Sequence, residues 1–271
     1  VPYIKDARSH PQAPDVEAAG LRWLKSAETA GGPHIVDVLQ SRADALHLER
    51  VTPQKATALA AAEFGAALAR MHQSVWPGGP LNLRGDSLTL FGTLAPTHPA
   101  GVPHLFGPAD QLLELGAGEH QSWGSFHAAE RLDPVFQQLE AALTPAENQL
   151  LRNAQERIAA GDFDTEEPAS LLHGDLWSGN VLWSDHGAVL IDPAAHTGHR
   201  ETDLAMLQLF GLPHLDEVLS VYQQTAPLTE GWQDRVPVHQ LFYLAVHLLL
   251  FGTTYHEATI AAAGRVTSIR G

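Results

Sequence analysis

The sequence predicts an α+β chain in two lobes, a small α/β N-terminal lobe over residues 1–51 and a larger, mainly helical C-terminal lobe over residues 52–271. Three observations carry that expectation. The first fifty residues alternate short strand-like runs with one amphipathic segment. An Ala-rich helical pattern sets in directly after Thr52-Pro53, and helix periodicity dominates from Ser122 onward, broken by one pair of short apolar runs on either side of residue 185. With 271 residues, 44% hydrophobic and 17% charged, the chain can bury a sizeable core.

Taken in order, Tyr3-Ile4-Lys5 reads as a short strand and Asp6 to Pro14 as a polar, Pro-containing loop. Asp15 to Lys25 carries Val16, Leu21, Trp23 and Leu24 on a helix that fades at Ser26 and Gly31-Gly32. His34 to Leu39 and Ala45 to Val51, joined by residues 40–44, suggest a hairpin. Thr52 reads as a helix cap with Pro53 at the first helical position, and Gln54 to His72 then sets Phe64, Leu68 and Met71 on one face. Trp76 to Gly118 is rich in Gly and Pro and weakly patterned, a length expected only where it is functional or braced against a larger body.

Helical signals return from Ser122. Thr144-Pro145-Ala146-Glu147 is a capping box opening a helix that closes near Gly161. Asp162, Asp164, Glu166 and Glu167 read as a solvated acidic loop. Val181 to Trp183 and Ala188 to Ile191 flank a turn at Ser184 to Gly187, a second hairpin. Glu201 to Ile269 is mostly helical, and Leu241 to Phe251 is apolar nearly all round, as a buried helix is.

Composition narrows the function classes. Sixteen Lys and Arg against 31 Asp and Glu give a net charge of −15, a surface that repels phosphate backbones, so neither nucleic acid nor an anionic membrane is an expected partner. The absence of Cys excludes disulfides, thiolate metal sites and cysteine nucleophiles. The most apolar stretch, Leu241 to Gly252, is about half the length needed to cross a bilayer. No basic segment followed by an apolar one opens the sequence, which begins on Val1, and a cytoplasmic protein is the expectation.

The informative segment runs from His173 to Asp192. Asp175 and Asn180 share a Gly-containing loop, and Asp192 ends the hairpin that follows. A loop, a hairpin and a second acid returning beside the first is how a phosphotransfer site is assembled. One carboxylate orients the attacking hydroxyl and accepts its proton, while an amide oxygen and a second carboxylate hold Mg²⁺ on the nucleotide phosphates. Singly, an Asp or Asn in such a turn is an ordinary turn former. The spacing of the three together is hard to explain as turns.

The string His173-Gly174-Asp175-Leu176-Trp177-Ser178-Gly179-Asn180, followed by Ile191-Asp192-Pro193-Ala194, Gly198-His199-Arg200-Glu201, Asp203 to Met206 and Leu209-Phe210-Gly211, resembles the fructosamine kinase (ketosamine-3-kinase) family. That family belongs to the aminoglycoside phosphotransferase-like kinases and shares the protein-kinase fold. Trp123, Phe126, Arg131-Leu132 and Pro134, and farther on Tyr222, Pro227-Leu228, Trp232, Arg235 and Leu241 through Tyr255, are similar to further family segments. So are Tyr3 to Lys5 and Glu17 to Leu21 at the front. The likeness is weakest between Trp76 and Gly118.

The resemblance implies an ATP- and Mg²⁺-dependent kinase acting on the 3-hydroxyl of ketoamines, fructosamine or ribulosamine, free or on protein lysines, with a role in protein deglycation. By position, Asp175 is the implied catalytic base and Asn180 and Asp192 the implied Mg²⁺ ligands. Lys5 contacts the α- and β-phosphates, and Glu17 fixes Lys5 through an ion pair. Backbone groups of Glu49, Arg50 and Val51 face adenine. Trp177 either packs on the sugar or supports the loop from beneath. His173 braces the loop, and His199, Arg200, Glu201 and Asp203 form a buried polar network, with Asp203 capping its own helix. The family carries two strands and a glycine-containing phosphate loop ahead of the lysine strand, which is where this sequence begins.

Other readings remain open at this stage: an aminoglycoside or other amino-sugar phosphotransferase on the same fold, or an inactive nucleotide-binding protein. A metal pair at His196 and His199 lacks the accompanying acidic motif of a helical zinc site, and Gly116-Ala117-Gly118 lacks the third glycine of a dinucleotide fingerprint.

Overall fold

A computed structural model describes residues 1–6, 10–81, 90–108 and 110–269. The N-terminal strand β1 (Tyr3–Asp6) leads into α1 (Ala13–Ser26), whose buried stripe is Ala18, Leu21 and Leu24. Then come β2 (His34–Ile35), β3 (Val38–Ser41) and β4 (Ala45–Leu48). The expected hairpin is present as β3 and β4, and β1 adds antiparallel to β4, giving the order β1-β4-β3 with Lys5 opposite Leu46. β2 does not join that sheet.

The first helix of the larger segment, α2, spans Ala58–Gln73, several residues later than the Thr52-Pro53 signal implies. The amide of Gln54 donates to the Trp183 carbonyl (2.7 Å), which holds the intervening chain extended. Helix formation waits for Thr57, whose hydroxyl accepts from the Ala60 amide at 3.1 Å. α2 buries Phe64, Leu68 and Met71 as its periodicity requires.

The irregular stretch after Trp76 contains β5 (His104–Phe106) and β6 (Leu113–Leu115), an antiparallel hairpin. It is braced as expected: Phe91 exchanges backbone bonds with His120, and the Gly92 amide donates to Thr197. α3 (Trp123–His127), a π-turn over Ala128–Leu132, α4 (Asp133–Leu139) and α5 (Pro145–Ala159) follow. The Thr144/Glu147 capping box is formed in full.

β7 (Ser170–Leu172) enters the central loop, β8 (Val181–Ser184) and β9 (Gly187–Leu190) form the hairpin, and β10 (His196–Gly198) returns antiparallel to β7. β2 pairs in parallel with β9, His34 opposite Val189, so residues from both ends of the chain share the sheet β2-β9-β8. The rest is α6 (Glu201–Phe210), α7 (Leu215–Thr225), α8 (Trp232–Phe251) and α9 (His256–Ser268).

Two apolar cores result. One gathers α1, α2, the β8–β9 hairpin and α7 around Leu24, Phe64, Leu190 and Tyr222. The other gathers α3 to α5, α8 and α9 around Trp123, Leu132, Leu241 and Val266. Among the described residues no helix is long and apolar enough to cross a membrane.

Candidate active site

The loop from His173 to Asn180 is held from behind by α6. Asp203 accepts the amides of His173 (2.8 Å) and Gly174 (2.9 Å), one at each carboxylate oxygen, rather than capping its own helix. His72 of α2 donates to Asp203 from Nε2 (3.2 Å) and accepts the Tyr222 hydroxyl at Nδ1 (2.7 Å). Burial alone would push the Asp203 carboxyl up, yet these donors hold it below the usual carboxylate range. Tyr243 adds a bond to the Gly174 carbonyl at 3.1 Å.

His173 accepts the Asp175 amide at Nδ1 (3.3 Å), which leaves Nε2 protonated and donating to the Ile191 carbonyl (2.9 Å). The imidazole is a brace between the loop and the end of the hairpin, as the sequence suggests. Gly174 has φ 80°, and a Cβ there would lie 2.1 Å from the Ala194 carbonyl oxygen. Only glycine admits both the left-handed turn and that approach.

Asn180 ties the loop to the hairpin end. Its Nδ2 donates to Asp175 Oδ2 (2.9 Å) and to the Asp175 carbonyl (2.8 Å), which leaves Oδ1 as the atom available to a cation. Asp192 has a left-handed backbone, φ 53°, at a position where a non-glycine residue is strained. Burial, only partly offset by Asn180, pushes the Asp175 carboxyl up to about 7. Lys5 reaches Glu17 at 2.6 Å and Asp192 at 3.1 Å. Burial would lower the ammonium, but the two carboxylates outweigh it and its pKa is raised. Glu17 is pushed up to about 7 by burial against the pull of Lys5, and its Oε1 is buried with no partner.

A cavity of about 650 Å³ brings together Lys5, Glu17, Asp175, Trp177, Asn180 and Asp192. Glu49, Arg50 and Val51 do not line it. The Glu49 amide is bonded to the Asp37 carbonyl (2.8 Å), and the Arg50 side chain reaches the Val1 carbonyl (3.1 Å). Trp177 is 39% exposed, lies over Gly179 and meets Phe210 edge-on at 6.4 Å, so it both lines the cavity and packs on its own loop.

Sequence reasoning missed the opposite wall. Leu105, Phe106, Pro108 and Leu112 come from the β5–β6 hairpin, and His247, Leu250 and Phe251 from the end of α8. The alternation around His104 to Phe106 is too short to stand out among glycines and prolines. The near all-round apolarity of Leu241 to Phe251 hides which of its residues face a cavity.

Of the expected polar network, all four residues are buried but only Asp203 holds the catalytic loop; the others tie together segments outside it. Arg200 clamps Glu167 through two bonds (2.6 and 2.5 Å), and Arg235 clamps Glu201 (3.0 and 2.5 Å). The acidic loop is therefore not simply solvated, since Asp162 pairs with Arg157 (2.7 Å) and Asp164 accepts the Gly124 amide (2.8 Å). His199, Glu201 and His239 lie within 4.8 Å of one another. Both His199 nitrogens are occupied, by the Glu201 amide and by Thr165, and the Glu201 carboxylate is held by Arg235. They form a structural network.

The fructosamine kinase family model matches residues 116–267. An Enterococcus faecium protein described as a probable ketoamine kinase is 36% identical over 179 residues, and the match spans 64% of this chain and 64% of that protein's length. A crystal structure from Thermobifida fusca assigned as a fructosamine-3-kinase is 37% identical, with a TM-score of 0.82 over 99% of this chain and 86% of that one. The gentamicin complex of the aminoglycoside phosphotransferase APH(2")-IIa superposes with a TM-score of 0.58 at 13% identity, over 98% of this chain and 85% of that one, a likeness of fold alone.

Proposed function

The chain belongs to the fructosamine kinase family, and from that membership we propose that it transfers the γ-phosphoryl group of ATP to the 3-hydroxyl of a ketoamine. Fructosamines and ribulosamines, free or on protein lysines, are the substrate class. A bond forms between the sugar oxygen and the γ-phosphorus, the bond from that phosphorus to the β,γ-bridging oxygen breaks, and ADP leaves. The hydroxyl proton passes to Asp175. Decomposition of the phosphorylated adduct would release the amine, which makes deglycation in the cytoplasm the biological role.

The observation that carries this reading is the convergence of Asp175, Asn180, Asp192 and the Lys5–Glu17 pair on one cavity. Asp175 is oriented by the Asn180 amide and kept basic by burial, so it can receive a proton near neutral pH. Lys5, fixed by Glu17, presents its ammonium toward the α- and β-phosphates. The hard oxygens of Asn180 and Asp192 suit Mg²⁺, and Lys5 lies beside Asp192, the arrangement a metal–phosphate group needs. Magnesium held there would neutralise charge on the transferring phosphoryl group. The family resemblance assigns adenine to main-chain groups of Glu49, Arg50 and Val51 at the junction between residues 1–51 and 52–271. These residues lie outside the cavity lining and the Glu49 amide is already bonded to Asp37, so the cavity itself does not support that assignment. Catalysis on this reading is positioning and charge neutralisation, with the loop held still by His173 and Asp203.

The test is coupled ADP release with Mg-ATP and a panel of a ribulosamine, a fructosamine and an aminoglycoside, with Asp175→Ala as control. Ketoamine turnover that vanishes in the variant is the expected result. Turnover of the aminoglycoside alone would keep the kinase and discard the substrate. ATP binding without turnover of any of the three would point to an inactive nucleotide-binding protein.

A further inference from the structure

The cavity has a second character besides its charged floor. Its carboxylates and its lysine come from β1, α1, the central loop and the hairpin end. The part built by the ends of α6 and α8 and the turn after α8 is uncharged and aromatic. Rings follow one another from the catalytic loop outward: Trp177 meets Phe210 (6.4 Å), Phe210 meets His247 (4.6 Å), and His247 meets both Phe251 (5.3 Å) and Tyr255 (4.9 Å). Phe251 is 54% exposed, although it ends a helix whose middle, Leu241 to Val246, is buried.

His247 does not break the apolar run. Its Nδ1 is bonded to the Tyr243 carbonyl at 2.8 Å, and burial keeps the ring below its usual pKa, so it presents a neutral face. The series of rings starts at Trp177, two residues from Asp175, and continues through residues of α6, α8 and the turn after it, none of which supplies the cavity's lysine or carboxylates. The sugar carbons of a ketoamine carry hydroxyls, so the substituent on its amine is the part of the substrate that an uncharged ring wall suits.

We propose that Phe210, His247, Phe251 and Tyr255, continuing from Trp177, form a subsite for the amine-borne group of the substrate, and that the chain favours ketoamines whose amine carries an aromatic or apolar substituent. The proposal rests on the ketoamine kinase reading above and names the substrate class within it. A ring or aliphatic stem gains contact area there and an adjacent protonated secondary amine gains the ring faces, whereas a small charged substituent gains neither.

The experiment compares the fructose-derived ketoamines of benzylamine and of glycine as substrates of the wild-type chain, Phe251→Ala and Tyr255→Ala. Expected is a kcat/KM for the benzylamine adduct about tenfold or more above the glycine adduct. In the variants that ratio should fall toward one, the loss falling mainly on the benzylamine adduct. Equal kcat/KM for the two adducts in the wild type, or equal losses for both in the variants, would overturn the subsite. Calorimetric binding of the benzylamine adduct separates the two levels of the argument. Binding that weakens in Phe251→Ala, with no turnover of any ketoamine, would sink the proposed activity and keep the subsite. No binding in the wild type would sink the subsite whether or not the glycine adduct turns over.

Discussion

Asp203 accepts the Gly174 backbone amide at 2.9 Å from a position on the far side of the loop that carries Asp175. Its other carboxylate oxygen takes the His173 amide and the His72 ring, so one buried acid fixes the loop at two successive residues. Asp203→Asn keeps the shape but turns at least one N–H against another. The expected loss is about 3 kcal/mol of stability, from an unsatisfied buried donor and a weakened charge-assisted bond. Chemical denaturation measures it, and an unchanged midpoint would mean that the loop is held by other contacts.

Lys5 is shared between Glu17 at 2.6 Å and Asp192 at 3.1 Å. Glu17→Gln should therefore move Lys5 toward Asp192 rather than free it. We expect a rise in KM for ATP of about tenfold, against a loss of about a hundredfold or more in kcat/KM for Lys5→Met. Initial rates against ATP concentration decide the order of the two, and a Lys5→Met enzyme with normal kinetics would remove Lys5 from the nucleotide site.

Gly174→Ala combines a φ of 80° with a Cβ placed 2.1 Å from the Ala194 carbonyl oxygen. Either the loop moves or the segment Asp192 to Ala194 does, and both carry site residues with them. Activity should fall at least a hundredfold while helix content by circular dichroism stays at the wild-type level, because the helices lie outside the strained turn. A variant that retains wild-type rates would show that the Gly174–Ala194 approach is not needed.

His196 and His199 are buried as neutral rings, their pKa values lowered by burial to about 3 and about 4. The unfolded chain binds those protons near pH 6.5, so the unfolded state holds more protons across the interval between. The contribution of these rings is full above about pH 6.5 and falls as the pH drops toward 4, by about tenfold in the folding constant per pH unit for each ring. Asp175 and Glu17, raised to about 7, contribute in the opposite sense over the same range, so the difference between wild type and His196→Gln isolates the ring. Thermal midpoints from pH 8 to pH 4 should fall less steeply in His196→Gln, and identical pH dependence in the two proteins would mean that His196 reaches water.

Much of the site was legible because its chemistry is local in sequence. Asp175, Asn180 and Asp192 sit within one loop and hairpin, and the structure brings them together with Lys5 and Glu17. The start of α2 was misplaced because Thr52-Pro53 and Thr57 are both competent caps. The choice between them is made by the Gln54–Trp183 backbone bond, a contact between residues far apart in the chain. The role of Asp203 was misjudged for the same reason: its helix offers amides nearby, but the loop amides 30 and 29 residues upstream take its carboxylate. The aromatic wall was invisible because Leu241 to Phe251 is apolar nearly all round and the exposed end of α8 shows only once α6 and the β5–β6 hairpin are in place.

The parallel pairing of His34-Ile35 with Val189-Leu190 puts β2 in a different sheet from β1. β2 is fastened to the hairpin that presents Asp192, while β1 is fastened to β4 and travels with Lys5. The Lys5–Asp192 contact at 3.1 Å therefore spans two sheets with separate strand ladders, β1-β4-β3 and β2-β9-β8. Its length would report any displacement of one sheet against the other when a nucleotide enters.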